Sequence, residues 1–173
     1  MRYKIITYIL FLLFALGLIG TASIVSAQAR PASTYTAYVV RIIDGDTIHV
    51  RDTTGETHRI RLAMIDAPER EQPFGTEATK KISELLRQST VRLKVKCIDK
   101  YNREVAFVYC EGKDVSAEML KDGMALHYHM NFDKCEMYDK FEAAAKHCRQ
   151  GLWSQEKIEK PWDFRRKHRK ENE

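Results

Sequence analysis

Apolar and polar residues alternate from Ala37 to Val50, interrupted once by Asp44-Gly45-Asp46. A period of two marks a half-buried strand, and Asp-Gly within it predicts a bulge or sharp bend joining two strand halves. After a turn at Thr53-Thr54-Gly55, Thr57–Ile65 alternates again, with Ile60, Leu62 and Met64 on one face and Arg59, Arg61 and Ala63 on the other. Ala67-Pro68 stops that strand, because proline cannot donate to the ladder. Glu69 to Gly75 reads as a polar loop, and Ala78, Ile82, Leu85 and Leu86 give Thr76–Arg87 helical spacing. Val91–Cys97 and Val105–Cys110 form a hairpin through Asp99-Lys100-Tyr101-Asn102. Asp114 or Ser116 caps a helix carrying Ala117, Met119 and Leu120 and closed by Gly123. Asp133 opens a longer helix through Met137, Phe141 and Ala145, closed by Gly151. From Lys157 onward there is no periodic core, and six Lys/Arg lie between Lys160 and Lys170, predicting a solvated basic tail. Five short strands with interleaved helices predict an α+β domain built on a barrel or curled sheet.

The N-terminus follows another pattern. Arg2 and Lys4 precede the apolar run Ile5–Val25, which closes on Ala27-Gln28-Ala29. A basic start, an apolar middle and a small-x-small end read as a secretory signal over residues 1–29. The competing reading is an uncleaved anchor, since about 20 apolar residues span a bilayer. The expectation is a secreted or periplasmic protein, or a membrane-tethered one, with a domain over 30–156 and the basic tail over 157–173. The 173 residues are 44% hydrophobic and 10% aromatic, which excludes wholesale disorder and leaves room for one domain. The formal charge of +5 falls to +3 without Arg2 and Lys4, so bulk charge says little about an anionic partner. Cys97, Cys110, Cys135 and Cys148 all follow the signal, and an even count in an oxidising compartment favours disulfides. Cys135 and Cys148 would lie about 20 Å apart on a helix, too far to bond to each other. Cys97–Cys135 with Cys110–Cys148 is the preferred pairing, and the crossed arrangement is the alternative.

Several charges sit where strand packing does not require them. Asp44 and Asp46 share a parity across the bend, and Arg59 and Arg61 share one on the next strand. Asp66 and Glu69 follow at that strand's end, and Arg103 follows the hairpin turn. Carboxylates suit a hard cation such as Ca²⁺ or Mg²⁺, and a backbone carbonyl such as that of Ala67 can complete the set. Arg61 and Arg103 can fork onto phosphate oxygens, which lysine cannot do. Glu69 is then left to orient or deprotonate a water. Asp44 reads as a turn residue. His127 and His129 are spaced like alternating strand residues, and a zinc role would need a third ligand nearby.

In order and approximate spacing, Ile43-Asp44-Gly45-Asp46-Thr47, Arg61-Leu62 with Ile65-Asp66-Ala67-Pro68-Glu69, and Asp99-Lys100-Tyr101-Asn102-Arg103 resemble the signature segments of staphylococcal nuclease-like thermonucleases. Gly123-Met124-Ala125 and Gly151-Leu152-Trp153-Ser154 are similar to that family's C-terminal half. The resemblance implies a five-stranded OB-fold barrel with three helices and a calcium-dependent enzyme that cleaves the 5′ P–O bond of DNA and RNA. It implies Asp46, Asp66 and the Ala67 carbonyl as calcium ligands, Arg61 and Arg103 on the scissile phosphate, and Glu69 as general base. It also implies Lys100 and Tyr101 near a distal phosphate and Tyr128 as an aromatic wall. No obligate protein partner is implied, so a monomer is expected. The rival function is a non-catalytic OB module that binds single-stranded nucleic acid or protein.

Overall fold

A computed structural model describes residues 33–87, 89–130 and 136–171. The signal segment, Asp133 and Cys135 lie outside the described residues. Strands β1 (Thr34–Ile42), β2 (Thr47–Asp52) and β3 (Thr57–Leu62) form an antiparallel meander. Strand β5 (Thr90–Ile98) pairs with β1, and β6 (Glu104–Cys110) pairs with β5. A parallel pairing of β3 with β6, Ile60 opposite Glu104 and Leu62 opposite Ala106, closes these five strands into an OB-type barrel. Closure removes the exposed edges that an open sheet would present. The short β4 (Ile65–Asp66) pairs with β8 (Leu126–His127) in a separate two-stranded sheet, and β7 (Lys113–Asp114) adds to β6.

Helices α1 (Gly75–Leu86), α2 (Val115–Lys121) and α3 (Glu136–His147) follow the spacing of their apolar residues. Ile82 and Leu86 from α1 and Met119 and Leu120 from α2 join Ile48, Val50, Ile60, Leu62 and Leu93 in one buried core. Asp114 caps α2, its carboxylate accepting the Ala117 N–H at 3.2 Å. A 3₁₀ turn at Gly151–Ser154 is followed by a fourth helix, α4 (Pro161–Glu171).

Three expectations change. The third strand ends at Leu62 rather than Ile65, because Met64 takes a left-handed φ of 68°. Ile60 to Ile65 are consequently all buried, and Arg61 does not face solvent. Four α-helices, not three, occur among the described residues, since the expected solvated tail folds as α4. The Cys110–Cys148 pair is absent: Cys110 is buried in the core at the end of β6, Cys148 is exposed, and Cys97, Cys110 and Cys148 carry free thiols. The Cys97–Cys135 pair involves a residue outside the described ones.

A polar clasp sits on the closing seam. Glu104, the first residue of β6, accepts a hydrogen bond from the Tyr35 hydroxyl of β1 and contacts His58 Nδ1 of β3 at 3.0 Å. The other ring nitrogen of His58 lies 3.2 Å from Asp52 Oδ2. Burial pulls the His58 pKa down, but bonds to Asp52 and Glu104 outweigh it, and the net shift is upward from 6.5. A base with a raised folded-state pKa stabilises fully below its unfolded value and loses that contribution as pH rises through the folded one. The stability gap between the wild type and His58→Gln, measured by urea unfolding, should therefore be larger at about pH 5.5 than at about pH 8. A gap that does not change with pH would contradict this assignment.

Candidate active site

The Asp44-Gly45-Asp46 turn joins β1 to β2. The Asp44 carboxylate accepts the N–H groups of Asp46 at 3.0 Å and Thr47 at 2.8 Å, which holds the turn closed from inside. Burial, with the Asp46 charge beside it, pushes the Asp44 pKa up to about 6. Gly45 lets this turn lie flat on the site. A Cβ there would stand 2.6 Å from the Ala67 Cβ and 2.8 Å from the Ala78 Cβ, inside van der Waals contact. The turn thereby brings Asp46 to Asp66 and Ala67 at the end of β4.

Asp46 is buried, and its Oδ2 accepts the Ala67 N–H at 3.1 Å while its Oδ1 accepts the Thr47 hydroxyl at 2.9 Å. Arg61 spans the two aspartates, Nη1 lying 3.2 Å from Asp46 Oδ2 and Nη2 3.1 Å from Asp66 Oδ1. It also donates to the carbonyls of Leu62 at 2.9 Å and Ile65 at 2.6 Å. Of its five N–H groups, Nε–H and one on Nη2 remain to be offered to a phosphate. Arg103 arrives from the β5–β6 hairpin, where Asn102 takes a φ of 58° that asparagine tolerates. Its Nε donates to Asp99 Oδ2 at 2.8 Å and its Nη1 to the Thr47 hydroxyl at 3.2 Å. One hydroxyl thus links Arg103 to Asp46.

Glu69 is partly exposed. Its N–H donates to Gln72 Oε1 at 2.9 Å, and Gln72 Nε2 donates to the Glu159 carbonyl at 3.1 Å, tying this loop to the approach of α4. A Cβ on Gly75 would stand 1.9 Å from the Glu69 carbonyl, so glycine there lets the loop fold back onto α1. Lys100 and Tyr101 sit on the hairpin, with the exposed Tyr101 ring beneath the Lys100 and Arg103 cations at 5.0 and 5.5 Å. Tyr128 is half-exposed after β8 and meets Trp162 of α4 at 5.8 Å between ring centres.

Sequence reasoning missed Arg165. Its Nη2 donates to Asp66 Oδ2 at 2.7 Å, and its Nη1 donates to Glu69 Oε1 at 2.7 Å and Asp66 Oδ1 at 3.1 Å. Burial lowers its pKa, yet these two carboxylates reverse that and hold the guanidinium firmly charged. The only signal in the sequence was a basic run, which ordinarily marks a solvated face.

Asp46 and Asp66, joined through Arg61, offer oxygens that suit a divalent cation. Asp66 is completely buried, and burial keeps its pKa raised even with Arg165 and Arg61 beside it, so further positive charge would be favourable there. The Arg165 guanidinium bridges Asp66 and Glu69 through its two terminal nitrogens. The donors are hard oxygens, as Ca²⁺ and Mg²⁺ require.

A family model described as staphylococcal nuclease homologue matches residues 59–155. The chain belongs to the staphylococcal nuclease family. The matched segment holds Arg61, Asp66, Glu69, Lys100, Tyr101, Arg103 and Tyr128, whereas Asp46 and Arg165 fall on either side of it. The chain is 33% identical to a micrococcal nuclease of Shigella flexneri over 165 residues, 89% of this chain and 94% of that protein. It is 37% identical over 148 residues to an uncharacterized endonuclease of Haemophilus influenzae, 85% and 81% of the two chains. Staphylococcal-like nuclease CAN1 of Arabidopsis thaliana is 32% identical over 165 residues, 87% of this chain. The chain spans only 49% of that plant protein's length, and 35% of a 38.1 kDa protein of Capnoides sempervirens to which it is 37% identical over 118 residues.

Two outcomes follow from this geometry. Replacing Arg165 with Ala removes a cation from the carboxylates, so divalent-cation affinity in a calorimetric titration should rise several-fold, where a tenfold rise is about 1.4 kcal/mol. Gly45→Ala should lower stability by about 1–3 kcal/mol through overpacking and weaken divalent-cation binding, because the turn must lift Asp46 away from Ala67.

Proposed function

We propose that the chain is a calcium-dependent nuclease that hydrolyses phosphodiester bonds of DNA and RNA with little sequence preference. The observation carrying this reading is the meeting of Asp46, Asp66 and Glu69 with Arg61 and Arg103 at one end of the barrel, in a member of a family whose nucleases are metal-dependent. Asp46, Asp66 and the Ala67 carbonyl would hold the ion. When bound, the ion supplies positive charge that neutralises the phosphate and stabilises its transition state.

The protein's own groups do the rest. Glu69 carries the exposed carboxylate of the three, so it is the one placed to hold a water and accept its proton as the water oxygen bonds to phosphorus. The 5′ P–O bond breaks, and the departing oxygen leaves with the bonding pair and takes a proton from solvent. Arg103 and the remaining donors of Arg61 meet the charge that builds on the phosphate oxygens, and such contacts accelerate only where they strengthen in the transition state. Lys100 lies beside Tyr101 on the same hairpin and would attract a flanking phosphate. Tyr128 offers a ring against a base. Phosphate contacts position a strand without reading sequence, hence the broad substrate range. The protein would act as a monomer, secreted or periplasmic after cleavage near Arg30, with a retained N-terminal anchor as the alternative that N-terminal sequencing distinguishes.

Digestion of plasmid DNA and of RNA should proceed with Ca²⁺ and stop with EDTA. Arg103→Ala should lower turnover about a hundred-fold or more while leaving the thermal transition close to that of the wild type. Asp46→Ala or Glu69→Ala protein that cleaves DNA at the wild-type rate would overturn this mechanism.

A further inference from the structure

A second cluster of metal-ligating side chains lies where the helix α3 packs against β8 and takes no part in the reaction above. We propose that His127, His129 and Asp139 form a distinct site for a zinc ion or a similar borderline divalent metal. This reading stands apart from the nuclease assignment and does not rest on it.

The third ligand that the sequence spacing lacked comes from α3. Asp139, in the first turn of that helix, places Oδ1 2.9 Å from His127 Nδ1 and 3.4 Å from His129 Nε2. The two imidazole rings stand 4.1 Å apart, and the three ligand atoms all lie within 4.8 Å of one another. A tetrahedral zinc ion with bonds of about 2.0–2.1 Å separates its ligands by roughly 3.4 Å, so these spacings need little adjustment. Asp139 and His129 are more than half exposed and free to make that adjustment.

His127 supplies the fixed part of the site. Its side chain is completely buried, its N–H donates to Glu142 Oε1 at 2.9 Å, and Tyr138 meets its ring edge-on at 5.7 Å. Nδ1 is the atom that faces the other ligands, and Nε2 is buried with no hydrogen-bond partner among the described residues. Two imidazoles and one carboxylate select a borderline ion such as Zn²⁺ or Co²⁺, whereas the all-oxygen set at Asp46 and Asp66 selects Ca²⁺ or Mg²⁺. Three protein ligands leave a fourth position to water.

The location gives such an ion a structural consequence. His127 lies opposite Ile65 in the two-stranded sheet, and Leu126 lies opposite Asp66. Tyr128, between the two histidines, donates its N–H to the Met64 carbonyl at 2.8 Å. An ion at this point would staple α3 to the sheet that carries Asp66 and Tyr128, holding the aromatic wall in place.

The test uses the full chain, stripped by chelation and refilled with excess Ca²⁺ to saturate the carboxylate site. Cobalt titration should then give the visible d–d absorption of tetrahedral Co²⁺ at one equivalent, and Zn²⁺ should displace it. His129→Asn and Asp139→Asn each alter an exposed side chain, so each should remain folded and bind Co²⁺ at least tenfold more weakly. Excess Ca²⁺ should leave the band unchanged, since the all-oxygen site is separate. Absence of the band in the wild type, its persistence at full affinity in both ligand variants, or its displacement by Ca²⁺ would each overturn the proposal.

Discussion

Two aspartates withdrawn from water are the constraint around which this molecule is arranged. Taking an ion out of water costs several kcal/mol even after relaxation, unless charge of the opposite sign is brought in with it. Asp46 and Asp66 are both buried, and Arg61 is buried between them with one Nη on each. Arg61 is the guanidinium common to both carboxylates, while Arg165 adds a second one at Asp66. The break in the β3 path at Met64 serves this arrangement. It turns the Leu62 and Ile65 carbonyls onto Arg61, so that Nη1 is met by the backbone as well as by Asp46.

The arrangement separates structural charge from chemical charge. Arg61 is largely spent on the protein, while Arg103 reaches Asp46 through the Thr47 hydroxyl and keeps more of its fork for a ligand. Among the carboxylates the gradient runs the same way, from the fully buried Asp66 to the partly exposed Glu69. A site of this kind lets one end of a cluster remain rigid while the other meets solvent and substrate, which is what preorganised electrostatic catalysis requires.

Much of this was legible in the residues. The strand alternation located all five barrel strands, Asp-Gly-Asp marked the turn, and Asp114 marked the start of α2, because each signal is local and its physical cause acts within a few residues. What was not legible depended on contacts distant in sequence. The helix Pro161–Glu171 has too few apolar residues to show an amphipathic stripe; it is held instead by Arg165 on two carboxylates and by Trp162 against Tyr128. No periodicity encodes an ion pair. The left-handed Met64 was hidden for a related reason, since methionine carries no preference for that conformation and the fold imposes it. Asp139 likewise became a neighbour of His127 and His129 only through the packing of α3 on β8.

The Arg165–Asp66 bond joins residues 99 apart in sequence. The helix that supplies this arginine lies outside the five-stranded barrel that supplies the carboxylates. The charge balance of Asp66 and Glu69 is therefore set by how that helix docks, and any ligand that competes for those oxygens also competes with the attachment of the chain's last helix.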